Sequence, residues 1–493
     1  MRTVIATKGE KGSALVTILL VVLLTSILGV ALLTVTLNGH KSVKASENQT
    51  KSRYLAEVGA KAGYWDLQQR LAHLHSSDWT DVTKEISSLS KDFRGSPAAP
   101  DPTKPDETYQ YQLVLELPPK VEKPDQGLYI VSGYIEGTGT SQGKTSTVRI
   151  KVQISSLADV FRFAMSASDT IWLNGGVKIN GDIYAKNKLA LHEFAHFGLY
   201  KESIFPEVNG KISSGDVSSP IHSLYYIPEE TISVPVLDVQ LVNEYSIEGK
   251  HNVDQEGILI DSDRAKDYLN GSFQLTKIQE VTLPEIDFAK KREEIRTKAK
   301  TDSRYHYVTL ADLLGNEHFT TYLIGSNTLQ GTGPYNGIWY IYGDLVIDGN
   351  VEINGTFYVE GDVTIRNIHT NNPIPAAIVA KGSIHVYNNN QFQSSPAVLN
   401  AFLWTQQDDL ALYGVISNLQ INGGVIAKNI VLNGVRGNTS TGLGLLVFDE
   451  QTLDKPARLT ITHDEKFVTN PPDGVPTITG LKVSQIGNWV LSY

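Results

Sequence analysis

The amino-acid sequence predicts a mostly β protein that begins with a long N-terminal transmembrane α-helix and continues as an antiparallel sheet and then a parallel β-solenoid. Three observations predict this fold class. Residues 13–37 carry no charge, residues 108–156 contain alternating strand patterns, and glycines recur at regular intervals within residues 343–361.

The first element is the uncharged run over residues 13–37. A helix of that length would extend about 37 Å, which exceeds the roughly 30 Å hydrocarbon core of a bilayer. A secretory signal peptide has an apolar core of only about 7–15 residues and ends at a small-residue cleavage site, and no such site follows this run. The run therefore predicts a membrane span that is retained, with residues 1–12 as a polar leader before it.

The polar leader ends in Lys11 and Gly12, and the letters SALV then open the apolar helix. This junction resembles the processing site of type IV prepilins. The resemblance implies that a membrane-bound prepilin peptidase cuts after Gly12 and methylates the new N-terminus, so that Ser13 becomes the first mature residue. Glycine suits the position before the cut, because an extended backbone can enter the peptidase site without a side chain.

One position departs from the family pattern. Most pilins have glutamate at the fifth residue after the cut, where it pairs with the terminal amine of a neighbouring subunit, but this chain has Thr17. A neutral hydroxyl cannot supply that charge. Some minor pilins share this departure, among them PilX-type proteins, so Thr17 argues against a major fibre subunit.

The region after the span extends the resemblance. Residues 52–65, SRYLAEVGAKAGYW, are similar to a segment of PilX-type minor pilins, and Leu55, Leu67 and Leu71 contribute to an approximate helical stripe. We expect one long helix over about residues 13–74, and we assign residues 38–93 as the extracytoplasmic helical region. A plain single-pass anchor with a helical stalk is the alternative interpretation.

A linker and a small sheet are predicted next. Residues 94–107 contain four prolines and predict a linker. Residues 108–156 contain three alternating segments, which predict an antiparallel β module. A long helix followed by such a sheet resembles pilin architecture.

A repeating pattern predicts the solenoid. Glycines in residues 343–361 are spaced by six, with β-branched or aromatic residues between them, so about three units would form one coil. The predicted solenoid blocks are residues 157–191 and 336–493, the second with a C-terminal cap, and an insertion over 192–335 has a helix near 284–300. Corners that need positive φ are predicted at five Asn-Gly pairs, Asn174-Gly175, Asn180-Gly181, Asn354-Gly355, Asn422-Gly423 and Asn433-Gly434. Hairpins with type I′ turns are the alternative.

One motif is typical of an enzyme. The letters HEFAH at residues 192–196 match the H-E-x-x-H pattern, in which His192 and His196 would bind Zn²⁺ from one helical turn and Glu193 would act as general base. No helix start precedes the motif, and the nearby acidic residues that could supply a third ligand, Glu207 among them, have no defined spacing. We therefore predict no catalytic residue, no metal and no cofactor, and keep these three residues as the candidates for a zinc site. In this interpretation their side chains face solvent.

Composition narrows the classes of function. The 43 Lys and Arg residues against 53 Asp and Glu give a net charge of −10, and no basic cluster lies beyond the membrane flank, which argues against nucleic acid as a partner. The chain has no cysteine, which excludes disulfides, thiolate nucleophiles and Cys-ligated metals. A chain of 493 residues predicts two or three folded units beyond the anchor.

Together with the resemblance, these features predict a PilX-type minor pilin or pilin-like protein of a type IV pilus or related filament, and not an enzyme. We expect it to act in assembly initiation, tip display or surface adhesion, with the bulk of the chain extracytoplasmic. The expected partners are the cytoplasmic membrane, the prepilin peptidase, other pilins or the assembly platform, and a surface or extracellular ligand. The alternatives are a membrane-tethered β-solenoid surface protein outside any filament and a zinc metalloprotease.

Overall fold

The computed structural model divides the chain into two units. One comprises Met1–Pro118, Val131–Ile154 and Lys482–Tyr493, and the other comprises Pro119–Ile130 and Ser155–Leu481. The residues that the structure describes are 11–72, 74, 79–195, 203–214, 224–226, 236–240, 244–248, 258–260, 262–277, 281, 283–308, 320–324, 334–349, 351–366, 375–388, 390, 392–415, 417–442, 445–485 and 490–492.

Four α-helices lie in the described residues: α1 Lys11–Leu71, α2 Trp79–Asp92, α3 Phe288–Lys298 and α4 Glu465–Thr469. Helix α1 has 61 residues, which corresponds to a length of about 90 Å. The predicted long N-terminal helix is confirmed. Helix α3 begins at a side-chain cap, because Asp287 accepts a hydrogen bond from the backbone N–H of Lys290 at 2.9 Å, and basic residues occupy its last turn.

The strands of the described part of the chain are numbered in sequence order. The first ten are β1 Arg94–Ala98, β2 Glu107–Leu115, β3 Val121–Lys123, β4 Leu128–Ser141, β5 Lys144–Leu157, β6 Met165–Ala167, β7 Thr170–Gly175, β8 Lys178–Asn180, β9 Ile183–Ala185 and β10 Lys188–His192. The next eight are β11 Glu207–Ser214, β12 Leu224–Tyr226, β13 Val236–Gln240, β14 Glu244–Glu248, β15 Ile258–Leu259, β16 Phe273–Lys277, β17 Tyr305–Val308 and β18 Thr320–Ile324.

The remaining strands extend to the C-terminal region. They begin with β19 Tyr335–Ile341, β20 Asp344–Asp348, β21 Ile353–Val359, β22 Val363–Arg366, β23 Ala376–Ala380, β24 Ile384–Tyr387, β25 Ala397–Thr405 and β26 Asp409–Gly414. They end with β27 Leu419–Ala427, β28 Asn429–Gly434, β29 Thr439–Gly442, β30 Leu445–Phe448, β31 Leu459–His463, β32 Thr477–Gln485 and β33 Val490–Ser492.

An antiparallel sheet follows helices α1 and α2. Its strand order is β1-β2-β4-β5-β32, with β33 also paired to β5. The predicted antiparallel sheet is confirmed, but its membership differs from the prediction in two ways. Residues 94–98 form β1 instead of a linker, because their backbone pairs with β2 despite Pro97. Strands β32 and β33, predicted to belong to the solenoid and its cap, supply backbone hydrogen bonds to this sheet.

The other unit is a stack of coils whose strands form two sheets. Nearly all of the strand pairs in these two sheets are parallel. One sheet has the order β15-β12-β10-β7-β28-β26-β24-β22-β20-β18, and the other has the order β17-β19-β21-β23-β25-β27-β31-β8-β11-β9-β6. The Gly361 N–H donates to the Gly343 carbonyl on the adjacent coil at 2.9 Å. Residues separated by three of the six-residue units therefore lie next to each other on neighbouring coils. The predicted parallel β-solenoid is confirmed.

The coils are not stacked in sequence order. Strand β7 has β10 on one side, which follows it closely in sequence, and β28 on the other, which comes more than 250 residues later. From β7 the stack grows outward through β10 and β12, and from β18 it returns through β20, β22, β24 and β26 to β28. Helix α3 lies in the chain segment between these two runs.

The predicted insertion at residues 192–335 also differs from the structure. Strands β11, β17 and β18 lie within it and pair in parallel with the solenoid strands β8, β19 and β20, and β16 pairs in parallel with β11. The insertion therefore contributes coils of its own at both ends of the stack. Local sequence does not reveal them, because the regular spacing of glycines is missing there.

Apolar side chains fill the solenoid and cover one outer face. Alternate residues of the facing strands, such as Ile347, Phe357 and Leu403, form the core between the two sheets. The intervening positions, such as Tyr358 and Trp404, form a second cluster on the outer face together with Phe288 and Ile295 of α3. The helix thus packs against the solenoid through an apolar surface.

Candidate functional site

The first part of helix α1 is apolar on every face. From Leu15 to Leu37, each large hydrophobic side chain is at least 50% exposed. The hydroxyls of Thr25, Thr34 and Thr36 donate to backbone carbonyls one turn earlier, so each of these three hydroxyls has an acceptor within the helix. By length and composition this helix is a candidate membrane span.

The predicted processing residues lie at the start of this helix. Gly12 and Ser13 belong to the first turn of α1, and Thr17 follows as an exposed residue one turn later. Residues 1–10 of the predicted leader lie outside the described residues. Cleavage after Gly12 stays a prediction.

The second part of helix α1 packs against the antiparallel sheet with almost no space between the backbones. A Cβ atom added at Gly139 would overlap Ser52 O, and one added at Gly137 would overlap Ala56 O. On the helix side, a Cβ at Gly59 would lie 2.7 Å from Gln110 O. Glycines on both surfaces thus allow the helix and the strands to approach closely.

Polar contacts fix the register of this packing. Ser52 Oγ and Ser146 Oγ lie 2.7 Å apart, and the Tyr64 hydroxyl donates to the Val483 carbonyl at 3.0 Å. The Tyr111 hydroxyl donates to Asp66 at 3.0 Å, and burial together with this carboxylate raises the pKa of Tyr111. The helix is therefore bonded to β2, β5 and β32, which come from distant parts of the sequence.

The opposite face of α1 carries two large exposed aromatic side chains. Tyr54 is 65% exposed and Trp65 is 60% exposed, whereas Leu55 and Leu67 on the sheet side are buried. The second part of the helix therefore has one face packed against its own sheet and one face open.

The H-E-x-x-H motif does not form a helix at its first histidine. His192 is the last residue of β10 and is buried, with Nδ1 2.9 Å from the Phe194 carbonyl oxygen. Glu193 follows the strand, and His196 lies outside the described residues. The expectation that His192 faces solvent is wrong, because β10 pairs with β7 and places this side chain opposite Asn174. Among the described residues, no group of three or more possible metal ligands occurs.

Glu207, considered from sequence as a third zinc ligand, has another environment. Its carboxylate accepts hydrogen bonds from Arg436 at 2.6 Å and from Asn209 at 3.0 Å, and it forms an ion pair with Lys178 at 2.9 Å. Desolvation acts to raise the pKa of Glu207, but the hydrogen bonds from Lys178, Asn209 and Arg436 outweigh it and lower the pKa to about 2.

Sequence reasoning missed this cluster because its members are far apart in the chain. Arg436 stands in the short stretch GVRGN after an Asn-Gly pair, where a buried arginine is unusual. That isolated charge in an apolar, glycine-rich repeat was the one available signal. Its partner could not be identified without the coil order.

Comparisons with known proteins assign no family to this chain. No protein-family model matches the chain, and no curated protein matches it. Among solved structures, the competence-associated pilin ComZ from Thermus thermophilus is similar at 11% identity and a TM-score of 0.28, with 90% of this chain and 98% of that chain covered. An ice-binding protein from an Arctic yeast is similar at 10% identity and a TM-score of 0.19, with 57% of this chain and 95% of that chain covered. Neither TM-score is high enough to assign a function.

Proposed function

We propose that this protein is a minor pilin or pilin-like component of a type IV pilus or related filament, anchored in the cytoplasmic membrane, with the solenoid displayed outside the cell. The observation that carries the proposal is the continuity of α1. One helix passes from a segment that is apolar and exposed on all sides to a segment packed on an antiparallel sheet. This arrangement suits a subunit that is held in the bilayer before assembly and then packs its helix into the core of a filament.

The proposed role is assembly initiation, tip display or surface adhesion. Thr17 favours such a role over that of a major fibre subunit, because a neutral hydroxyl at this position offers no charge to the terminal amine of a neighbour. The stack of parallel coils offers a rigid, extended surface, which suits display.

The processing step tests the proposal directly. The mature protein from membranes should begin at Ser13 with a methylated amine, as read by intact mass and N-terminal sequencing. Gly12→Leu should keep the leader, since a bulky side chain cannot enter the peptidase site. Gly9→Leu, a matched change within the leader, should be cut normally. An intact Met1 in the parent protein would contradict the proposal.

A second candidate is a membrane-tethered solenoid protein that never enters a filament. The same residue, Thr17, favours it, because the pairing that recruits most pilins is missing. Shearing cells and assaying the released filaments separates the two candidates. We expect processed chain in the sheared fraction, and a chain found only in the membrane after complete processing would favour the tether.

The proposed function includes no catalysis. Glu193→Gln should leave filament assembly and adhesion unchanged, because in this proposal its carboxylate abstracts no proton. The purified full-length chain should also hold no stoichiometric zinc by metal analysis. One zinc per chain that is lost in His192→Ala, together with a peptidase activity lost in Glu193→Gln, would replace the proposal with a metalloprotease.

A further inference from the structure

A cavity of about 410 Å³ opens beside the solenoid strands β8 and β27. Its walls come from the ends of these strands and from the loop over residues 453–456, and both Arg436 and Arg458 line it. The volume is within the range of small-molecule sites.

Arg436 lines this cavity and is almost completely buried. The residue is 2% exposed. Its Nη2 donates to Glu207 at 2.6 Å, and its Nη1 donates to the carbonyls of Leu453 at 3.2 Å and Lys455 at 3.1 Å. Among the described residues, the buried Nε of Arg436 has no acceptor. A buried donor without an acceptor is costly, and a ligand acceptor would remove that cost.

Arg458 adds a second buried guanidinium to the same cavity. It is 1% exposed, and its Nη1 donates to the Gly437 carbonyl at 3.3 Å. Burial lowers the pKa of Arg458 to about 10, because desolvation disfavours the cation. A bound anion would stabilise the cation and raise the pKa of Arg458.

Positive charge exceeds negative charge around the cavity. Two lysines, Lys178 and Lys455, join the two arginines in its lining, and Asp454 is the one carboxylate among the lining residues that the structure describes. Glu207 lies behind the wall and holds Lys178 and Arg436. Counting Glu207, four cations still face two carboxylates, in a chain whose net charge is −10.

We propose that this cavity binds an oxyanion, the phosphate or carboxylate group of a small ligand. Guanidinium groups suit such oxygens because their donors form charge-assisted and often paired hydrogen bonds. Glu207 keeps Arg436 in place through Nη2, and Nε of the same guanidinium has no acceptor among the described residues. The ion pair with Glu207 therefore positions one side of the site.

Titration of the full-length chain in detergent tests the proposal, with inorganic phosphate and glucuronate as probes and neutral glucose as the control. We expect saturable binding of phosphate, glucuronate or both in calorimetry, no binding of glucose, and weaker binding as ionic strength rises. Binding of phosphate alone identifies a phosphate site, and binding of glucuronate alone identifies a carboxylate site. Failure of both probes at millimolar concentration would overturn the proposal.

Two variants locate the binding. Lys178→Gln, at a side chain that is 34% exposed, should reduce the affinity at least about fivefold, because one cation of the site is lost. Lys428→Gln removes the same charge from an exposed solenoid position outside the cavity lining and should leave the affinity unchanged. Equal losses in the two variants would indicate general charge attraction and would contradict the site. Circular dichroism without ligand checks that both variants fold.

Discussion

The contact between α1 and its sheet and the contact between neighbouring solenoid coils both depend on glycine, but for different reasons. At Gly137 and Gly139 the missing side chains let a helix and a strand approach at one place. At Gly337 and Gly355 they let one coil lie on the next, within a stack where each coil contacts only its neighbours. The first contact occurs once, between one helix and one sheet. The second belongs to a stack in which similar contacts between neighbouring coils repeat.

The largest effect is expected from Gly355→Val. Its Cβ would overlap Gly337 O, and the obstacle is backbone, which cannot turn away as a flexible side chain could. The free energy of unfolding should fall by about 4 kcal/mol, with loss of β signal in circular dichroism at lower denaturant concentration. Thr364→Val, an isosteric change on the half-exposed side of β22, should shift it by less than about 0.5 kcal/mol. Equal stability of the two variants would contradict the close stacking.

The helix-to-sheet contact should be nearly as sensitive to Gly139→Ala. The added methyl group would overlap Ser52 O, so the free energy of unfolding should fall by about 3 kcal/mol. Protease should also cleave α1 faster, because the helix would pack less closely on the sheet. Gly39→Ala, in α1 but outside the contact with the sheet, is the control, since nothing lies within 4 Å of its added Cβ. That control should be neutral or more stable by up to about 1 kcal/mol. Protease resistance of Gly139→Ala at the parent level would refute the contact.

The ion pair at Glu207 should give a pH-dependent effect of about 2 kcal/mol. Its pKa falls from an ordinary value of 4.5 to about 2 in the folded chain, so its contribution is present above pH 4.5 and is lost as the pH falls toward 2. At pH 7, Glu207→Gln should unfold at lower denaturant concentration than the parent. The difference should shrink between pH 4.5 and pH 2, and a difference that stays constant over this range would exclude the ion pair as its cause.

The smallest effect is expected from Tyr358→Phe, on the outer face of the solenoid. The Tyr358 hydroxyl donates to the Gly474 carbonyl at 2.6 Å inside a buried cluster. Loss of this hydrogen bond should cost about 1 kcal/mol without altering the stacking of coils. Thermal unfolding measures it, and a loss as large as that of Gly355→Val would mean that the outer cluster, and not the coil contact, dominates stability.

The class of fold was predictable from the sequence because its signals are local. An uncharged run, alternating strands and evenly spaced glycines each reflect the geometry of one element. The positive φ expected from the Asn-Gly pattern is wrong at Gly355 and Gly434. Of the five Asn-Gly pairs, Gly175, Gly181 and Gly423 have positive φ in the structure. Gly355 instead lies in β21 and is required by the approach of Gly337.

The membership of the sheets and the candidate sites could not be predicted in the same way. Nothing near residues 482–492 indicates that they complete a sheet begun by β1 and β2. Arg436 and Glu207 meet only because β28 returns to β7, and this return is decided by packing over the whole stack. His192 matched an enzyme motif in letters, but strand pairing determined where its side chain lies.

The return of β28 to β7 also governs how the solenoid can be completed as the chain is synthesised. During synthesis, β10 follows β7 closely and can pair with one of its edges early. The other edge of β7 stays unpaired until β28 is made, more than 250 residues later in the chain. An open strand edge is a template for pairing with other chains, and such distant contacts form slowly. The gap beside β7 therefore closes only after most of the solenoid has been synthesised. A chain shortened before Asn429 would leave an unpaired strand edge in the middle of the stack instead of at its end.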